Sequence, residues 1–175
     1  DVSVGPLESA AMVAPAKRLI VHTRLQDGFG YEQRLFDVAR REPIGTAFVT
    51  TQIDPRPRVL PKAGIFLRYR GAAIEKVDLG TGKTVAAFGG EGGDVSAIHA
   101  SEDGKLAVVA RSTPSGSVEI WNTIEARQIA RPLYPVVLSE APVFSPSGTK
   151  VAIMTPTGVF LADAESSDAP LWLPA

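Results

Sequence analysis

Short apolar runs broken by turn residues recur along the chain. Arg18 to Thr23, Gly64 to Tyr69, Lys105 to Ala110 and Lys150 to Met154 are each rich in Val, Ile, Leu or Phe and are closed by polar residues or by Gly and Pro. That is the pattern of short β-strands. The best helical candidate, Gly30 to Arg41, does not keep its apolar residues three and four apart, and Pro43 follows it closely. An all-β chain is therefore predicted.

A longer period lies over the strands. Phe36-Asp37, Val77-Asp78, Trp121-Asn122 and Ala162-Asp163 follow one another at intervals of 41, 44 and 41 residues. In each case a β-type stretch ends in Asp or Asn and a polar or small segment follows. These two residues suit the place because their side chains bond nearby backbone and tolerate turn geometry. A second register agrees with the first: Ser9 to Arg24 lies without gaps on Ser96 to Arg111, two periods away, and Val143 to Val151 repeats the same turn with Gly148 in the place of Gly104. A fixed period of about 40 residues denotes stacked supersecondary units. Four repeats are predicted, at about 7–46, 47–90, 91–134 and 135–175.

These segments resemble the blades of the WD-repeat family of β-propellers. Ala100-Ser101-Glu102-Asp103-Gly104-Lys105 and Phe144-Ser145-Pro146-Ser147-Gly148 match the family's first turn, and Val118-Glu119-Ile120-Trp121-Asn122 matches its Trp-Asp strand. The resemblance implies four-stranded antiparallel blades. The family's Gly-His pair has no counterpart in Gly89 to Asp94, and no Asp occurs in Ser112 to Gly116. The buried polar network that usually pins a blade's corner is therefore expected to be missing. In the second repeat, Asp54 to Pro61 interrupts the place of the first turn, which makes that unit the weakest match.

A four-stranded unit of this kind cannot bury both faces alone, and stacking on its neighbours supplies the missing partner. Propellers close with four to eight blades, so four sit at the lower limit. The first unit begins with its first strand near Leu7 and the fourth ends near Leu171-Trp172-Leu173, with only Asp1 to Val4 left over as a closing strand. The fold class expected is a β-propeller of about four blades forming a partial or open ring: half of a larger propeller or an association of chains, with an apolar blade face that must meet something. The first residue, Asp1, points the same way, to a processed product or a piece of something larger. Trp121, Trp172, Phe88 and Phe144 are the residues expected to fill layers between blades.

Composition narrows the function more than it names it. Eighteen basic and nineteen acidic residues leave a net charge of −1, which provides no field for nucleic acid or an anionic membrane. No apolar run reaches the length of about 18 residues needed to span a bilayer. The lack of cysteine excludes disulfides, thiolate metal sites and cysteine nucleophiles, and fits either redox compartment.

Candidate chemistry is sparse. Leu79-Gly80-Thr81-Gly82-Lys83-Thr84 suggests a phosphate loop, but the earlier glycine is replaced by Val77 and the repeat demands a hairpin there. His22 and His99, the only histidines, fall in strands. Glu102 and Asp103 near His99 belong to a turn, so no metal site or cofactor is expected. No Gly-x-Ser-x-Gly elbow marks a nucleophile, and the chain is expected not to be an enzyme. The residues expected to contact a partner are Phe29 and Tyr31, from a loop that brings two aromatics to one end of the blade, and Arg56 and Arg58, from the Pro-rich interruption. The function expected is a non-catalytic scaffold or subunit that binds other protein chains within a larger assembly. The alternatives are a ligand- or glycan-binding propeller, or half of a propeller belonging to a hydrolase or sensor.

Overall fold

The computed structural model describes residues 4–13, 17–26, 29–50, 58–90, 93–112, 116–133, 141–163 and 170–174. Sheet 1 comprises β1 (Val4–Val13), β2 (Arg18–Leu25), β3 (Tyr31–Asp37) and β4 (Glu42–Thr50). Sheet 2 comprises β5 (Arg58–Leu60), β6 (Ile65–Arg70), β7 (Ala73–Asp78) and β8 (Thr84–Gly89). Sheet 3 comprises β9 (Asp94–Ala100), β10 (Leu106–Ser112), β11 (Ser117–Asn122) and β12 (Arg127–Leu133). Sheet 4 comprises β13 (Val143–Phe144), β14 (Lys150–Thr155), β15 (Gly158–Asp163) and β16 (Leu171–Pro174). All four are antiparallel, run in chain order and do not close on themselves. The fold is thus all-β and made of blade-like four-stranded sheets. Gly30 to Arg41 contains β3 and a turn, as its lack of helical spacing predicts.

The repeat anchors end the third strand of each sheet, and their side chains build the turn that follows. Asp37 Oδ1 accepts from the backbone N–H groups of Ala39 and Arg40, both at 3.0 Å. Asp78 Oδ1 accepts from those of Gly80 at 3.1 Å and Thr81 at 2.7 Å. Asn122 Oδ1 accepts from those of Ile124 at 2.9 Å and Glu125 at 3.0 Å. Four residues after each of these anchors the chain enters the left-handed region, at Arg41 (φ 59°), Gly82 (φ 69°) and Ala126 (φ 53°). The turn after Asp163 lies outside the described residues. The glycine of the phosphate-loop-like stretch therefore serves a hairpin. A Cβ on Gly82 would stand 2.8 Å from the Ile44 carbonyl oxygen of β4.

The first turn of every sheet also closes in the left-handed region, at Lys17 (φ 50°), Gly64 (φ 66°), Gly104 (φ 72°) and Gly148 (φ 72°). This corrects the expectation for the second repeat. Its first turn is intact as Pro61–Ala63, one turn of 3₁₀-helix capped by Gly64, and it begins on the last residue of the Pro-rich stretch.

The chain forms two compact units, residues 1–70 with 75–86, and residues 71–74 with 87–175, so that β7 and β8 contribute to both. In the first unit Val13, Ile20 and Leu35 of sheet 1 bury against Phe66, Val77 and Leu79, with Ile44 and Val59 at the margin. Arg18 crosses the same seam, its Nε donating to the Leu79 carbonyl oxygen at 3.1 Å while its Nη1 pairs with Asp37 at 2.9 Å. In the second unit Val108, Val118 and Ile120 of sheet 3 bury against Val151, Ile153 and Ala162 of sheet 4, flanked by Ile129, Phe144 and Phe160.

Three of the four residues expected between blades lie in such layers. Phe88 is buried and its ring centroid is 5.4 Å from that of half-buried Trp121, and Phe144 packs on the second core. Trp172 lies at the rim instead, 4.5 Å from Phe160 and 37% exposed, because β16 is the edge strand of its sheet.

Candidate functional site

Strand alternation assigns each side chain to one face of its sheet, and the registers join these side chains into rows. In sheet 1 Ala11, Ile20, Leu35 and Ile44 are direct neighbours across four strands, and this row faces the core shared with sheet 2. In sheet 3 the corresponding neighbours are Val108 and Ile120, buried against sheet 4. Leu35 and Ile120 each stand two residues before their anchor. The same position in sheet 4 is Leu161, in the row Val143, Ala152, Leu161, Leu171.

That row is open. Val143 is 57% exposed, Leu161 40% and Leu171 59%. A second row, Met154, Val159 and Leu173, runs beside it, with Leu173 44% exposed. The rim carries an ion pair between Lys150 and Asp163 at 2.8 Å, on the same face by register. Adjacent apolar rows spanning four and three strands form a contiguous patch of the kind that marks a binding surface, unlike scattered single apolar residues.

Sheet 1 has an open face of the opposite kind. Met12, Leu19, Phe36 and Pro43 form a row across its four strands, in which Met12 is 61% exposed and Leu19 and Phe36 are half-buried. Phe36 stands one residue before its anchor. In sheets 2 and 4 this position is filled by Val77 and Ala162, and both are buried, the first against sheet 1 and the second against sheet 3.

The residues expected to contact a partner are placed elsewhere. Phe29 lies in the turn before β3 and is 81% exposed; Tyr31 opens β3, half-buried and paired with Arg24 and Thr50. Arg58 is exposed on β5 opposite Leu67. Arg56 lies outside the described residues. The sequence pointed to an open apolar blade face without showing which rows form it, because their residue types match those of the buried rows.

Buried polar groups of other kinds join the strands. Arg111 Nε donates to Glu119 at 2.8 Å, and its Nη1 donates to the carbonyl oxygens of Ala72 at 2.9 Å and Gly93 at 3.0 Å. Trp121 Nε1 donates to the other Glu119 oxygen at 2.8 Å. In sheet 2 Arg68 pairs with Glu75 at 2.7 Å, and Thr84 joins the same carboxylate at 3.3 Å. In sheet 1 buried His22 lies between Ser9, at 3.2 Å from Nδ1, and Gln33, at 2.7 Å from Nε2. Glu75 and Glu119 both stand three residues before their anchors, a signal the sequence carried. These groups pin neighbouring strands together. His99 is half-buried on β9 opposite Val108.

A shallow cleft of about 100 Å³ lies between the first turns of sheets 3 and 4, lined by Asp103, Lys105, Asn122, Ser147 and Thr149. Its polar groups are committed to the turns: Asp103 accepts from Ser101 and from the backbone of Lys105, Asn122 holds its own turn, and Ser147 bonds Ser145 and Thr149. Among the described residues no three His, Asp or Glu side chains are grouped to hold a metal ion, and no helix is long and apolar enough to cross a membrane. Compared with protein-family models and with curated protein sequences, the chain matches none.

Proposed function

We propose that this chain is a non-catalytic interaction module of divergent WD-repeat-like β-propeller type, which binds other protein chains through its open sheet faces within a larger assembly. The observation that carries this reading is the exposure of Leu161 and its row, at the repeat position where Leu35 and Ile120 are buried against a neighbouring sheet. The anchors at Asp37, Asp78 and Asn122, each building the same turn, support the WD-repeat-like reading.

The test is retention of partner chains by the immobilised protein, compared with the double variant Leu161→Asp, Leu171→Asp. Both residues are exposed, so the variant retains its fold, which circular dichroism checks. Wild type is expected to hold a stoichiometric partner, further copies of this chain included, and the variant to lose it about tenfold or more, equivalent to roughly 1.4 kcal/mol. An identical set of retained chains for both proteins would rule out the open face as the binding surface.

A further inference from the structure

We propose that the open face of sheet 4 docks on the open face of sheet 1 of a second copy of this chain. The proposal rests on the interaction reading above and names the partner.

Within each unit the two kinds of face are used in one fixed way. Call the side that carries the residue two before the anchor the front, and the side that carries the residue one before the anchor the back. The front of sheet 1, with Ile20 and Leu35, packs on the back of sheet 2, with Val77. The front of sheet 3, with Val108 and Ile120, packs on the back of sheet 4, with Val151 and Ala162. Front on back is thus the contact this sequence makes twice, with aliphatic residues on the front and aliphatic or phenylalanine residues on the back. The face left open on sheet 4 is a front, with Ala152 and Leu161 at the places of Val108 and Ile120. The face left open on sheet 1 is a back, with Leu19 and Phe36.

Each open face is the complement the other needs, and a second copy supplies it without any new kind of contact. The pairing is unlike on unlike, so the interface is heterologous, in contrast to the self-matching patch of an ordinary twofold dimer. Two fronts placed together would not reproduce either buried seam. Charge does not oppose the contact, since the chain's net charge is only −1 and Lys150 is already neutralised by Asp163 on the front face.

Two measurements on the 175-residue chain test this. Light scattering across a dilution series is expected to give at least twice the mass of one chain for wild type and the mass of one chain for Leu161→Asp. Because the sequence has no cysteine, Met12→Cys and Leu161→Cys each introduce a single thiol, at positions 61% and 40% exposed. A short bismaleimide is expected to join the two variants when they are mixed and to leave either alone uncrosslinked. Crosslinking within one variant and not in the mixture would overturn the front-on-back arrangement. A wild-type mass of one chain at every concentration would overturn self-association. If that monomer still retains another protein that Leu161→Asp loses, the interaction reading stands and only the partner's identity falls; if it retains none, both fall.

Discussion

Arg111 and Glu119 form an ion pair at 2.8 Å whose side chains are 1% and 7% exposed. Burying two charges repays the loss of water only when the geometry is good and further hydrogen bonds are made, and here the Ala72 and Gly93 carbonyls and the Trp121 indole supply them. A Cβ on Gly89 would stand 2.8 Å from Arg111 Nη2, so the glycine keeps room for the guanidinium. Glu119→Ala leaves the cation buried without its partner and is expected to cost about 3–5 kcal/mol in urea unfolding. The double variant Arg111→Met, Glu119→Leu is expected to be less destabilised than Glu119→Ala. A cost below about 1 kcal/mol for the single variant, typical of an ordinary substitution, would show that water reaches the pair.

Trp121 depends on the same carboxylate. Its ring packs on Phe88 and its N–H is spent on Glu119, so removal loses both packing and a charge-assisted hydrogen bond. Trp121→Ala is expected to cost about 3 kcal/mol, the lower end for a large aromatic because the ring is half-buried. Trp121→Phe keeps the packing and is expected to cost roughly 1.5 kcal/mol, the lower end of the worth of a hydrogen bond to a charged group. Equal losses for the two variants, measured by chemical unfolding, would place the whole effect in the hydrogen bond.

The anchors also predict how the fold responds to acid. The Asp37 carboxyl is held below its ordinary value by the Arg40 backbone N–H and further by Arg18, and that of Asp78 by the Thr81 hydroxyl and N–H. A folded-state value below the unfolded one means stability that is present above the unfolded value, 3.8, and lost as pH falls through the folded values. The urea midpoint is therefore expected to fall as pH drops from about 5 toward 3. Asp37→Asn with Asp78→Asn keeps the acceptor oxygen, as Asn122 does naturally, and is expected to flatten that fall. An unchanged acid limb in the double variant would assign the pH dependence to other carboxylates.

What the sequence made legible was local. An Asp or Asn that bonds the two N–H groups just after it leaves a mark at a fixed position, and so the anchors, the hairpins and the repeat could be read directly. The pairing of Arg111 with Glu119 was not legible, because it depends on a register between strands and on carbonyls as distant as Ala72. The glutamates three residues before two anchors hinted at it, as charges inside otherwise apolar strands. The open faces were the hardest to place, since Leu161 differs from Ile120 only in what lies beyond it. The first turn of the second repeat hid in Pro61 to Gly64, a turn without the Ser101 and Asp103 of its counterpart in the third repeat.

The repeat also marks three positions where the side chain conflicts with the backbone. The residue four after the anchor is glycine in the second repeat and Arg41 or Ala126 in the first and third, all with φ between 53° and 69°. The residue closing the first turn is glycine in three repeats and Lys17 in the first. A side chain there meets the neighbouring carbonyl oxygen, at a cost of roughly 1–2 kcal/mol, part of which glycine gives back through its greater freedom when unfolded. Ala126→Gly and Lys17→Gly are each expected to stabilise by about 0.5–1 kcal/mol, opposite to the usual effect of glycine in a β-protein. The converse substitution, Gly82→Ala, is expected to destabilise by more than this, because its Cβ also meets the Ile44 carbonyl. Ala152→Gly, in the middle of β14, serves as the control and is expected to destabilise by about 0.5–1 kcal/mol. Urea midpoints for the four variants decide the matter: a loss of stability in both Ala126→Gly and Lys17→Gly would mean that the turns relieve their own strain, and that the repeat position does not select glycine.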